Sequence, residues 1–170
     1  MKLTEERIIA APPETVWAAI LNPEVLKACI PGCKELTGTP EEGFDAVVVQ
    51  KVGPVKATFK GGVTLSAMQP PESLTITGEG KGGAAGFAKG GADVRLEPQG
   101  DVTLLHYDVE AKVGGKLAQL GSRIIDGFAK KMADQFFEQF QQTVGGPGEA
   151  DAELAEEEAE KKSWISRLRG

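Results

Sequence analysis

The chain is poor in the residues that carry most metal and nucleophile chemistry. Its 170 residues include one histidine, His106, and two cysteines, Cys29 and Cys33. Those three cannot complete a zinc tetrahedron. In a reducing compartment the cysteine pair reads as two small hydrophobes. No run of about 18 apolar residues occurs, so no segment reads as a spanning helix. The first residues, MKLTEERIIAAPPE, lack the apolar region of a signal peptide, which points to the cytoplasm. With a net charge of −6 and a pI near 5.0 there is no basic stripe, and nucleic acid is not an expected partner.

Glycine, by contrast, is concentrated. GEGKGGAAGFAKGG, residues 78–91, holds seven glycines and is flanked by strand-like sequence. Read with a period of two, one sheet face carries Ile76, Gly78, Gly80 and Gly82, then Ala88, Gly90, Ala92 and Val94. The other carries Thr77, Glu79, Lys81, Lys89 and Asp93. A face this bare does not fill its own core. Either a close-packed helix or a ligand has to lie over it. The stretch is not a phosphate loop, because it lacks the Gly-Lys-Ser/Thr ending at a helix start.

The rest reads as a strand over residues 2–10, two short helices started by Pro13 and Pro23, and six further strands. These are 33–36, 44–52, 55–68, 73–81, 86–96 and 102–113. The last alternates cleanly: Leu105, Tyr107, Val109, Ala111 and Val113 face in, while His106, Asp108, Glu110 and Lys112 face out. A helix is predicted from about Lys116 to Thr143, with the stripe Leu117, Leu120, Ile124, Phe128, Met132, Phe136 and Phe140. The expected fold is α+β, a helix grip: a curved antiparallel sheet of about seven strands around a long C-terminal helix, in a domain spanning 1–144.

Residues 145–148, Gly-Gly-Pro-Gly, read as a hinge. The tail 149–170 holds seven acids and four bases. Trp164, Ile165 and Leu168 share one helical side, ringed by Lys161, Lys162, Arg167 and Arg169. This pattern suits an interfacial membrane anchor, a helix laid in a partner's groove, or a solvated end.

APPETVWAAILNPEVLKACIPGCKEL, GPVKATFKG, the glycine stretch and GGKLAQLGSRIIDGFAKKMADQFF together resemble the G-subunit family of carbon monoxide dehydrogenase, within the START-like (SRPBCC) ligand-binding superfamily. The resemblance implies a non-catalytic accessory protein of a molybdenum hydroxylase of the carbon monoxide dehydrogenase type. It also implies coupling of that enzyme to the cytoplasmic membrane, and an apolar cavity suited to an isoprenoid quinone. The ligand wall expected on this reading is Trp17, Phe59, Gly78, Gly80, Phe87, Tyr107, Leu120, Ile124, Phe128 and Met132, with Tyr107 able to hydrogen-bond a carbonyl. Alternatives are an adaptor that stores no ligand, and a START-like enzyme acting on a polycyclic or polyketide substrate. No nucleophile, base and orienter set supports the enzyme, since His106, Asp108 and Glu110 share an outward face. No catalytic residue and no metal ligand is assigned.

Overall fold

A computed structural model describes residues 1–145; the hinge beyond Gly145 and the tail, with Lys161, Lys162, Trp164, Ile165, Arg167 and Leu168, lie outside the described residues. The elements run β1 (Lys2–Ile9), α1 (Pro13–Ile20), α2 (Pro23–Cys29), β2 (Cys33–Thr39), β3 (Gly43–Val52), β4 (Val55–Gln69), β5 (Ser73–Lys81), β6 (Phe87–Gln99), β7 (Val102–Gly114) and α3 (Ser122–Val144). The sheet order is β1-β7-β6-β5-β4-β3-β2, and every neighbouring pair is antiparallel. Both short helices open on proline at the position where a missing N–H is harmless. The Asn22 side chain caps α2 by accepting from the Glu24 N–H at 2.9 Å.

The expected grip is present, but its helix starts later than the sequence suggests. A tight 3-10 turn occupies Gly115–Leu120, and Gly121, at φ 89° and ψ 157°, then breaks the chain before α3 begins. That positive-φ residue resets the helical phase. From Ile125 the inward positions recur at helical spacing: Phe128, Ala129, Met132, Ala133, Phe136, Phe137 and Phe140. Leu120, before the break, is therefore out of line with α3, while Ile124 lies within α3 at the exposed edge of the inward stripe.

Two cores hold α3 over the sheet. The larger joins Ile9, Val16, Trp17, Cys29, Leu96, Leu105 and Phe140, with Phe136 and Phe137 packed against it. Phe140 is fully buried and stacks on Phe136 at 5.6 Å between ring centres. The smaller core joins Val52, Leu117 and Ile125, with Phe59, Leu120 and Phe128 around it. The helix is thus pinned near both ends. Its middle crosses the bare part of the sheet.

Candidate functional site

Between the two cores lies a cavity of about 610 Å³ whose wall is almost wholly apolar. Its floor is the inner face of the sheet, where Gly80, Ala88, Ala92 and Ala111 leave space that larger side chains would occupy. Its roof is the middle of α3, where Ala129 and Ala133 alternate with Phe128 and Met132. Leu26, Ile30, Pro31 and Val48 close the α2 and β3 side. Many inward residues, such as Val63, Ile76, Val109 and Met132, are only half-buried although they point to the interior. Helix and sheet do not close on each other here.

The glycines divide into two kinds. A Cβ on Gly61 would collide with the Glu79 carbonyl oxygen, and one on Gly90 would collide with that of Glu110. These two permit strands to approach so closely that no side chain fits, which bends the sheet. A Cβ on Gly80 would meet only the Phe59 Cβ, at an ordinary 3.6 Å. Gly80 faces open space.

Of the residues expected in the wall, the structure brings Phe59, Gly80, Tyr107, Phe128 and Met132 together around the cavity. Five others stand elsewhere. Trp17 is buried in the larger core, where α1 packs on β6 and β7, and is outside the lining. Leu120 and Ile124 sit over the β3–β4 turn at Gly53: Leu120 precedes the break at Gly121, and Ile124, inside α3, falls at the edge of the inward stripe because a spacing of four drifts around a turn of 3.6 residues. Phe87 is on the outer face of β6, in register between Lys81 and Gly114, and its ring covers Gly114. Gly78 lies against the β4 backbone at Gly62 and Val63, outside the lining. The small roof residues Ala129 and Ala133 are absent from the expected wall, although their i, i+4 spacing within a phenylalanine-rich helix is visible once the phase is set at Ile125.

Among the described residues, two polar side chains line the cavity, Gln50 and Tyr107. Tyr107 is not free to hold a guest carbonyl, contrary to expectation. Its hydroxyl donates to the Glu5 carboxylate, and Arg7 donates to the same hydroxyl at 3.3 Å. Glu5 and Arg7 face inward on β1 and tie that strand to α3. Arg7 reaches Glu5 at 2.7 Å and Asp134 at 2.6 Å, while Lys130 reaches Glu5 at 2.9 Å and Asp134 at 2.8 Å. Arg7 also lies over the Phe137 ring, 5.1 Å from its centre.

This network sets an acid limit. Hydrogen bonds from Tyr107, then Lys130 and Arg7, pull the Glu5 carboxyl down to about 2 against the opposing effect of burial. Burial, and then the Glu5 carboxylate, push the Tyr107 phenol up to about 12. A carboxylate depressed in the folded state stabilises fully above its ordinary value of 4.5 and loses that contribution as pH falls toward 2. The thermal midpoint of the wild type is therefore expected to fall steeply across that window, and that of Glu5→Gln to fall less. Parallel acid limbs for the two proteins would exclude Glu5 as the cause.

On the opposite face His106 stands between Glu97, at 3.0 Å, and Glu6, at 3.2 Å. Among the described residues, no group of three or more histidine, cysteine, aspartate or glutamate side chains is placed to hold a metal. Both cysteines are free thiols; Cys29 is buried, and that burial raises its pKa. No described helix is long and apolar enough to cross a membrane.

A family model described as the G-subunit of carbon monoxide dehydrogenase (CoxG) matches residues 5–145. No curated protein matches the chain. Among solved structures, a conserved protein from Geobacillus kaustophilus superposes with a TM-score of 0.80 at 28% identity, covering 86% of this chain and 97% of that one. A START superfamily protein from Mycobacterium smegmatis gives 0.64 at 16% identity, covering 84% and 96%. A protein from Chromobacterium violaceum gives 0.65 at 17%, covering 85% and 96%. The last two speak for the fold alone.

Proposed function

The chain belongs to the CoxG family, the G-subunit family of carbon monoxide dehydrogenase, and from that premise we propose that it is a non-catalytic accessory protein that binds an isoprenoid quinone in its sheet–helix cavity. In this reading it serves a molybdenum hydroxylase of the carbon monoxide dehydrogenase type and couples that enzyme to the cytoplasmic membrane.

The observation that carries the ligand reading is the size of the cavity together with its wall. The recess holds about 610 Å³ between sheet and helix and is lined almost wholly by apolar side chains. Covering apolar surface is worth ~25 cal/mol per Å², and water finds few hydrogen-bond partners on such a wall. A greasy guest gains that burial. The small residues on floor and roof suit a flat ring or an isoprenoid chain between them. Among the described lining residues, Gln50 has a spare donor: its Nε2 gives one N–H to the Pro31 carbonyl and keeps a second. A quinone carbonyl would find its hydrogen bond there.

The test is mass spectrometry of lipid extracts from the full chain purified from its native host. A quinone near one per chain is expected. A protein that carries no apolar molecule, and that fails to bind a short-chain quinone in solution, would exclude the ligand reading.

A further inference from the structure

Three chain segments meet at one end of the grip. They are the β3–β4 turn with the start of β4 (residues 51–60), the β5–β6 connection (81–89), and the end of β7 running into α3 (112–124). Gly86 backs onto Gly114 and Gly115, and Gly53 lies under Leu120 and Ile124. The segments contain Lys51, Lys56, Lys60, Lys81, Lys89, Lys112, Lys116 and Arg123, eight of the chain's 19 bases and none of its 25 acids. In a chain of net charge −6, this is a strong segregation.

Folding brings these bases closer than the sequence shows. Strand register sets Lys51 opposite Lys56, Lys60 opposite Lys81, and Lys89 opposite Lys112. Like charges directly opposite one another destabilise a sheet; of these lysines, Lys89 also faces a carboxylate residue, Glu79, across the β5–β6 pair. All eight are exposed. Among the described residues, none of them is within ion-pair distance of a carboxylate. Large hydrophobics stand exposed at the same end: Phe87, in register beside Lys81, and Ile124, each 42% exposed. At the same end Val52, Leu117 and Ile125 of the smaller core form part of the cavity wall.

We propose that this end of the folded domain is a docking surface for an anionic bilayer, with the lysines at the lipid phosphates and Phe87 and Ile124 in the interfacial layer. The proposal rests on the membrane-coupling reading above and assigns the contact to the folded domain rather than to the tail. Charge complementarity alone would also suit an acidic protein. Exposed apolar side chains among unpaired lysines, set against the wall of an apolar cavity, favour lipid, because a guest of that cavity has to come from and return to a bilayer.

Flotation of the full chain with phosphatidylcholine vesicles, with and without phosphatidylglycerol, tests it. Wild type is expected to float with the anionic vesicles alone and to be released by high salt. Lys81→Glu/Lys89→Glu/Lys112→Glu should weaken partitioning by more than about 100-fold, at about fivefold or more per lysine. Phe87→Ser should weaken it about tenfold. The thermal midpoints of both variants show whether they fold, and the less disruptive Lys→Gln triple keeps the test open if the Glu triple does not. Wild type that floats while both folded lysine triples float equally well overturns the docking surface and leaves membrane coupling standing. That outcome would be accompanied by loss of flotation in Trp164→Ser/Ile165→Ser/Leu168→Ser if the tail carries the contact. Failure of wild type to float on either vesicle overturns both readings. Lysine variants that float normally but no longer bind a partner hydroxylase would assign the surface to protein instead.

Discussion

Phe140→Ala is expected to destabilise the protein by about 3–5 kcal/mol, the range for emptying a fully buried phenylalanine site. Phe140 has no exposed surface, and it stacks on Phe136 and meets Phe137 edge-on. It fixes the C-terminal half of α3 in the larger core. For a chain of this size each kcal/mol moves the thermal midpoint by roughly 2–4 °C, so a drop of about 10 °C should be seen. Phe128→Ala on the same helix is expected to cost about 1 kcal/mol or less. Its ring faces the cavity and is already half-buried, so truncation widens an existing space rather than opening a new one. Equal losses for the two variants, in denaturant titrations with matched slopes, would show that the middle of α3 is packed core and that the cavity is closed in solution.

That contrast also marks how far the residues can be read from their order alone. The period-two pattern yields seven strands and the correct inner face, because each strand obeys a strict alternation that tertiary contacts reinforce. The bare inner face at Gly80, Ala88 and Ala92 is visible for the same reason. The roof is harder to read. Leu117, Leu120 and Ile124 continue a helical spacing through Gly121, and nothing local shows that this glycine takes a positive φ. Beyond the break the inward line of α3 runs from Ile125, with Ile124 at its exposed edge because a spacing of four drifts around the helix, and Ala129 and Ala133 become the roof. Trp17 and Phe87 mislead through residue type: large aromatics suggest a ligand wall, whereas one fills the core and the other lies outside over Gly114. The role of Glu5 is hidden because its partners Tyr107 and Lys130 come from distant parts of the chain. Gly61 and Gly80 look alike in sequence, and only the strand crossing distinguishes a glycine that bends the sheet from one that leaves room.

Gly80→Leu is expected to move stability and ligand affinity in opposite directions. The backbone at Gly80 does not need glycine's left-handed region, and a Cβ there meets Phe59 at ordinary contact distance. The isobutyl group then projects into the apolar cavity. Burying it is worth about 1.5–3 kcal/mol, so the thermal midpoint of the ligand-free protein should hold or rise. The same atoms take the space of about three buried methylene groups of a guest, at ~0.8 kcal/mol each. A short-chain quinone should therefore bind roughly fiftyfold more weakly, at about 1.4 kcal/mol per tenfold. Gly61→Leu provides the control with the opposite logic: its Cβ would collide with the Glu79 carbonyl, so it should lose stability through the backbone. Titration of a soluble quinone against folded wild type and Gly80→Leu decides the matter. A variant that is as stable as wild type and keeps full affinity would mean that the guest does not lie on this floor. A variant that loses stability without losing affinity would mean that Gly80, like Gly61, is there for the sheet and not for a ligand.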